Sequence, residues 1–346
     1  MTYNLTLKSY IHDKISDVRE DFSWSSFYIT NYHQLISQTF NYLGIEIEIP
    51  KGSNSSEYLD EKYYSNLSIF EPHKDDIFKY HSIFVDETQD YKPEWVKIIR
   101  KYFLEDNSEM VLFGDEKQNI YERDIDNERN TKVVQGFGVW QKLNKSIRHK
   151  QNSHILMLAK TFQQKFFNEK YDIDKYEENT IQREILGLGI NKVSKYSTDN
   201  LNEVVSLIFK NIKENDIHPN DVTILCSKIK TVREIDYIIR NKFNENTLTT
   251  FETKEMSEIT HFKKEIDNIR KVKKIGFNLN NGVLKLSTIH SFKGYESPTV
   301  FLIIDDNDHS EMVYVGITRA KFNIMIFLNE SSKYMDFFTL ALEKEL

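Results

Sequence analysis

Asp86 and Glu87 are neighbouring carboxylates that follow at once on a short apolar run, Ile83-Phe84-Val85, at the head of the stretch DETQD. A hard cation such as Mg²⁺ takes one or two carboxylates and completes its shell with water and phosphate oxygens. The pair therefore reads as a metal–phosphate site, with Asp86 holding the ion and Glu87, beside it, orienting or deprotonating a water. A second apolar run, Met110–Phe113, stops just as abruptly at Gly114-Asp115-Glu116-Lys117-Gln118. Gln118 is placed to hydrogen-bond a terminal phosphate or the same water. DETQD alone reads equally as a solvated acidic loop. The second polar cluster at the end of the next apolar run is what turns the reading towards phosphate chemistry.

The elements that position these groups follow from the pattern between them. Pro93 suits a first helical turn, and Trp95, Ile98, Ile99 and Tyr102 fall on one helical face. Strand, helix, strand predicts a βαβ unit of a parallel sheet. Both polar clusters then sit at carboxyl ends of strands, where open α/β sheets bind ligands.

Further along, other residue types fit the same chemistry. Ser26–Thr30 reads as a strand, and Thr30, Tyr32 and His33 at its end could touch a nucleic-acid backbone and stack a base. A capped helix start over 34–43 explains them as well. The segment 44–80 reads as irregular, with short helices. Arg148 precedes a helix carrying Ile155, Leu158, Phe162 and Phe166 on one face. Its planar fork suits a phosphate, although a surface ion pair is the plainer role. Helices over 200–215 and 231–243, with a strand at Val222–Cys226 between them, predict a second parallel sheet. The lysines and Arg270 of 244–275 suit either a solvated helix face or a phosphate-backbone contact. In LKLSTIHSFKGYESPTVFLII a strand ends at Thr288, a connection carries His290, Lys293, Gly294 and Glu296, and a strand returns at Val300. Lys293-Gly294 offers a cation and a backbone able to approach phosphate. Glu296 can accept from a ribose hydroxyl. EMVYVGITRAK reads as a helix with Arg319 near its end, followed by a last strand at 323–328.

The chain has 346 residues, room for two domains. Its net charge of −7 excludes a globally basic nucleic-acid binder, but a local basic groove remains compatible with binding. Cys226 is the only cysteine. That excludes an internal disulfide framework and a cysteine-built metal site, and fits the cytoplasm. No apolar run reaches the ~20 residues of a membrane span, so a membrane is not expected as a partner.

Five blocks occur in series: DETQD, GDEKQNIY, LNKSIR, TIHSFKGYE and VYVGITRAK. Their order and residue types resemble motifs II to VI of the superfamily 1 DNA helicases of the UvrD/Rep type. Thr2-Tyr3-Asn4 and Thr30-Asn31-Tyr32-His33 resemble that family's segments Ia and Ib. The resemblance implies an α/β fold of two RecA-like parallel-sheet domains of the P-loop NTPase type facing across an ATP cleft. The first, incomplete at its N-terminus, would span 1–142, and the second 143–346. It also implies ATP and Mg²⁺ as cofactors and single-stranded DNA, or RNA, as partner. Asp86 would be the Walker B metal residue and Glu87 the water activator. Gln118 and Arg148 would sense the γ-phosphate, Arg319 would be an arginine finger, and Glu296 would hold the ribose. Thr30, Tyr32, His33, Thr288 and His290 would follow the strand.

Three departures stand out. Motif IV usually reads Asn-Tyr-Arg, with an aromatic able to stack on adenine; here it reads Ser146-Ile147-Arg148. After motif III only Tyr121 remains as an aromatic for DNA bases. None of the 11 glycines is followed by Lys, so no G-x-x-x-x-G-K-[ST] loop is present to cradle phosphates. The expectation is that an upstream segment or a separate chain carries that loop, and that this chain alone hydrolyses ATP weakly or not at all. The competing reading is a helicase-derived module that holds single-stranded nucleic acid without hydrolysis.

Overall fold

A computed structural model describes residues 1–4, 6–50, 55–118, 137–139, 141, 154–168, 171, 190–260 and 262–344. The chain divides into two compact units, 1–141 and 142–346. The fold is α/β, with two sheets whose strand pairs are all parallel.

The first unit contains α1 (Leu7–Ser16), α2 (Tyr32–Leu43), α3 (Ser55–Leu59), β1 (Tyr80–Val85), α4 (Pro93–Ile98) and β2 (Leu104–Leu112). Asn31 caps α2 by accepting from Gln34 N at 3.0 Å, and Gly44 ends it at φ 68°, a conformation glycine adopts without strain. Pro93 opens α4. One wider, π-helical turn, Ile99–Phe103, then leads into β2. β1 pairs with β2 from Ile83↔Met110 to Val85↔Leu112, as the βαβ pattern predicts. The core forms on one side of this sheet. Ile83 and Val85 pack there with Ile36, Phe40, Phe70, Trp95, Ile99 and Tyr102. The predicted strand at Ser26–Thr30 is not formed. Trp24–Ser26 is a short turn, and Thr30 O instead accepts from Thr2 N at 3.0 Å.

The second unit runs α5 (His154–Phe166), β3 (Asn191–Lys195), α6 (Leu201–Glu214), β4 (Val222–Cys226), α7 (Ile229–Ile238), β5 (Thr247–Thr249), α8 (Lys254–Ile259), α9 (Lys263–Ile275), β6 (Leu284–Thr288), α10 (Ile289–Phe292), β7 (Ser297–Ile304), α11 (Ser310–Ile317), β8 (Ala320–Leu328), α12 (Met335–Ala341) and β9 (Glu343–Lys344). Its seven strands lie in the order β5-β6-β4-β7-β8-β3-β9. Every residue of β4 is buried, and β7 is buried throughout apart from half-buried Pro298. Phe301 and Ile303 pack with Ile224, Val232, Ile235, Met325 and Phe327. The alternate position, Leu302, meets Gly316 of α11 so closely that a Cβ there would lie 2.6 Å from it. Near-continuous apolar strands are what a sheet covered on both faces requires.

Candidate functional site

In the first unit the two strand ends are laced together. Phe113 N donates to Val85 O at 2.8 Å, and Thr88 N donates to Phe113 O at 2.9 Å. The Thr88 hydroxyl reaches the same carbonyl at 3.0 Å. Directly after β1 the chain turns sharply. Glu87 adopts φ 55°, ψ 49°, a left-handed conformation uncommon outside glycine. Its N–H bonds Asp86 Oδ1 at 3.0 Å.

Gln89 joins the clusters. Its amide N–H donates to Glu87 Oε2, while its Oε1 accepts from Asp115 N at 3.1 Å. Gln118 donates in turn to Asp115, N to O at 2.9 Å and Nε2 to Oδ2 at 3.0 Å. Gly114 permits this approach, because a Cβ there would lie 2.4 Å from Thr88 Oγ1. Asp86, Glu87 and Gln118 thus belong to one hydrogen-bonded constellation. Among the described residues no three His, Cys, Asp or Glu side chains form a metal cage by themselves. An oxygen pair that leaves the remaining positions to water and phosphate is the donor set suited to Mg²⁺.

The segment Thr30–His33 is placed differently from its reading as a strand contact. Tyr32 is fully buried. Its ring stacks on Trp95 at 4.7 Å, and its hydroxyl bonds Tyr64 O at 2.6 Å. Burial pushes that phenol well above its ordinary value. Tyr32 is therefore a core residue, because α2 turns it inward onto α4. Thr30 is also buried. His33 is half-buried, edge-on to Trp95 and Tyr64, each at 4.9 Å.

In the second unit Thr288 ends β6 and caps α10 by accepting from Ser291 N at 3.2 Å. The chain passes His290, buried Lys293 and Gly294 at φ 90°, then enters β7 at Ser297. Both strands run parallel to β4, so Thr288 and Glu296 lie at opposite ends of one sheet. Glu296 pairs with Lys321 at 2.6 Å. Arg319 is 1% exposed. Its guanidinium donates to Val315 O at 3.1 Å, Tyr295 O at 3.0 Å and Thr318 Oγ1 at 3.0 Å. The residue expected to present a charge outwards is thus drawn against carbonyls of its own unit. Arg148 and Tyr121 lie outside the described residues.

Several contributors escape a reading by residue type. Gln89 and Asp115 lie inside the two polar clusters, but their bridging depends on strand register. Lys321 acts through Glu296. Of the basic residues in 244–275, Arg270 pairs with Glu252, and Lys273 donates to Thr249 Oγ1 at 2.9 Å. Those two serve the fold.

No curated protein matches the chain. Among solved structures, the C-terminal domain of a possible DNA helicase from Lactobacillus plantarum WCFS1 is similar at 14% identity, over 53% of this chain and 88% of that one. Its TM-score of 0.30 is too low to carry an argument. Residues 74–126 match the UvrD/REP helicase N-terminal domain family. That stretch holds β1, α4, β2 and both laced strand ends, and on it the chain is UvrD-like.

Proposed function

We propose that this chain is a cytoplasmic ATP-dependent DNA helicase or translocase of the UvrD/Rep type, coupling ATP hydrolysis to movement on single-stranded DNA. The observation that supports it most is the Glu87–Gln89–Asp115–Gln118 lacing inside the family-matched stretch. Bound Mg·ATP supplies the phosphoryl group to be transferred. Asp86 binds the metal, Glu87 takes a proton from the attacking water, and Gln118 orients that water. In the second unit Glu296 takes the ribose and the backbone at Gly294 approaches the phosphates, while Lys293 is left out because the residue is 2% exposed. Arg148 and Arg319 answer γ-phosphate charge. Thr30, His33, Tyr121, Thr288 and His290 attend the strand. Tyr32 is left out because its ring belongs to the core.

The 346 residues contain no G-x-x-x-x-G-K-[ST] loop. We assign the phosphate cradle to another segment or chain, and expect little ATP turnover without it, since a cradle supplies several charge-assisted contacts. The test is ATPase and strand binding by this chain, with and without single-stranded DNA. Salt-sensitive strand binding with weak or no turnover is expected. Robust turnover overturns the claim of a weak ATPase, and loss of strand binding overturns the helicase reading.

One observation favours a second reading, a strand-holding module without hydrolysis: the Arg319 guanidinium is already satisfied by its own unit. Replacing Glu87 by Gln separates the two. It abolishes the activity of a motor and leaves that of a holding module unchanged.

A further inference from the structure

β8 begins with an irregularity that places an aromatic ring in the open. Ser297 pairs with Ala320 and Thr299 with Asn323, so Lys321 and Phe322 together stand opposite Pro298 alone. Two residues facing one define a β-bulge, and bulges gather beside active sites, where they re-aim a side chain. The cause is legible in the chain. Proline has no N–H to give to the ladder and is tolerated in sheets at edges and bulges.

The bulge is held on both sides. Ser297 N donates to Arg319 O at 2.9 Å. Lys321 reaches Glu296 at 2.6 Å. Asn323 donates to Thr299 Oγ1 at 2.9 Å and accepts from Ile190 N at 3.0 Å. Ala320 and Ile324, flanking it in the strand, are fully buried, while Phe322 is 62% exposed. A single exposed aromatic is ordinary on a protein surface. This one is exposed by a pinned backbone distortion, on the rim that carries the Glu296–Lys321 pair and Arg319.

We infer that Phe322 is the stacking platform for the base of the bound nucleoside triphosphate, in place of the motif IV aromatic that is Ile147 in this chain. The inference rests on the proposed reading of Glu296 as the ribose contact. The base belongs to the mononucleotide and not to the strand, because Thr288 lies at the opposite end of the sheet. Stacking on a phenyl ring tolerates every base, so the platform confers affinity with little choice among bases.

The test uses the full chain with the variants Phe322→Ala and Phe322→Tyr, both checked for an unchanged melting temperature. Binding of Mg·ATP, Mg·GTP, inorganic tripolyphosphate and oligo-dT is measured by equilibrium dialysis. Phe322→Ala is expected to weaken ATP and GTP about tenfold or more, the loss that removing a base–aromatic stack carries. Phe322→Tyr restores both, and tripolyphosphate and oligo-dT are unaffected. Unchanged nucleotide affinity in Phe322→Ala overturns the inference, as does an equal loss of tripolyphosphate binding. Loss of oligo-dT binding alone assigns the ring to the strand and overturns it too. If the native chain binds tripolyphosphate but gains nothing from a base, the platform fails while the nucleotide reading stands. If it binds neither, the second unit makes no nucleotide contact of its own, and the inference fails together with the assignment of Glu296 to the ribose.

Discussion

The two sheets differ in how much of their surface is covered. In the second unit β4 and β7 are buried on both faces. In the first, Ile83 and Val85 point into the core, while Phe84, between them, is 51% exposed and Phe113 beyond β2 is 43% exposed. Parallel sheets are ordinarily covered on both faces. The carboxylate constellation thus sits on the sheet with less apolar burial, and local opening is drawn from regions of low burial. The second unit supplies a stiffer frame.

Predictions that test the contrast run from large effects to small. Glu252 is fully buried between Arg233 at 2.7 Å and Arg270 at 2.6 Å. Glu252→Ala strands two guanidinium groups and should cost about 3–5 kcal/mol in the second unit. A loss below ~1 kcal/mol in denaturant melts would mean that this frame is not stiff. Phe301→Ala, in the covered sheet, should cost about 3–5 kcal/mol. Its counterpart on the bare face, Phe84→Ala, should stay within ~0.5 kcal/mol. Equal losses would break the comparison. Gly114→Ala forces a Cβ towards Thr88 Oγ1 and should cost about 1–3 kcal/mol. Hydrogen exchange should show faster opening confined to the strand ends of the first unit.

Acidity acts on the second unit through Glu252. Burial favours its neutral form, but the hydrogen bond from Arg270 and the charges of both arginines outweigh it, and the carboxyl titrates below its usual 4.5. A lowered folded value stabilises fully above 4.5, and the stabilisation drains away as pH falls through the folded value. Lys285 acts at the alkaline end. Burial lowers it from 10.5 to about 8, although its ammonium donates to Leu279 O at 3.0 Å and Val283 O at 3.3 Å. Between those values the folded state sheds its proton first, so stability rises with pH. Lys285→Met should flatten that rise in melts taken from pH 8 to 10.5.

The strand ends were readable because apolar runs stop at polar clusters, and Asp86 and Gln118 duly follow β1 and β2. Parallel pairing followed from the helical pattern between them. Tyr32 was not readable, since its ring faces Trp95 only once α2 packs on α4. The burial of Arg319 depends on carbonyls of Val315 and Tyr295, which no residue type announces. The last strand begins three residues earlier than its pattern suggests, at Ala320, because pairing with Ser297 resumes across the bulge opposite Pro298. Gln89 was visible inside DETQD, but its bridge to Asp115 exists only in the folded register.

The run from Thr288 to Glu296 joins the two ends of the larger sheet, and Ile289, Phe292, Lys293 and Tyr295 along it are all at most 2% exposed. A packed run of that kind has no slack to absorb a displacement. The length of the strands, not the depth of the sheet, therefore sets the span that this run bridges.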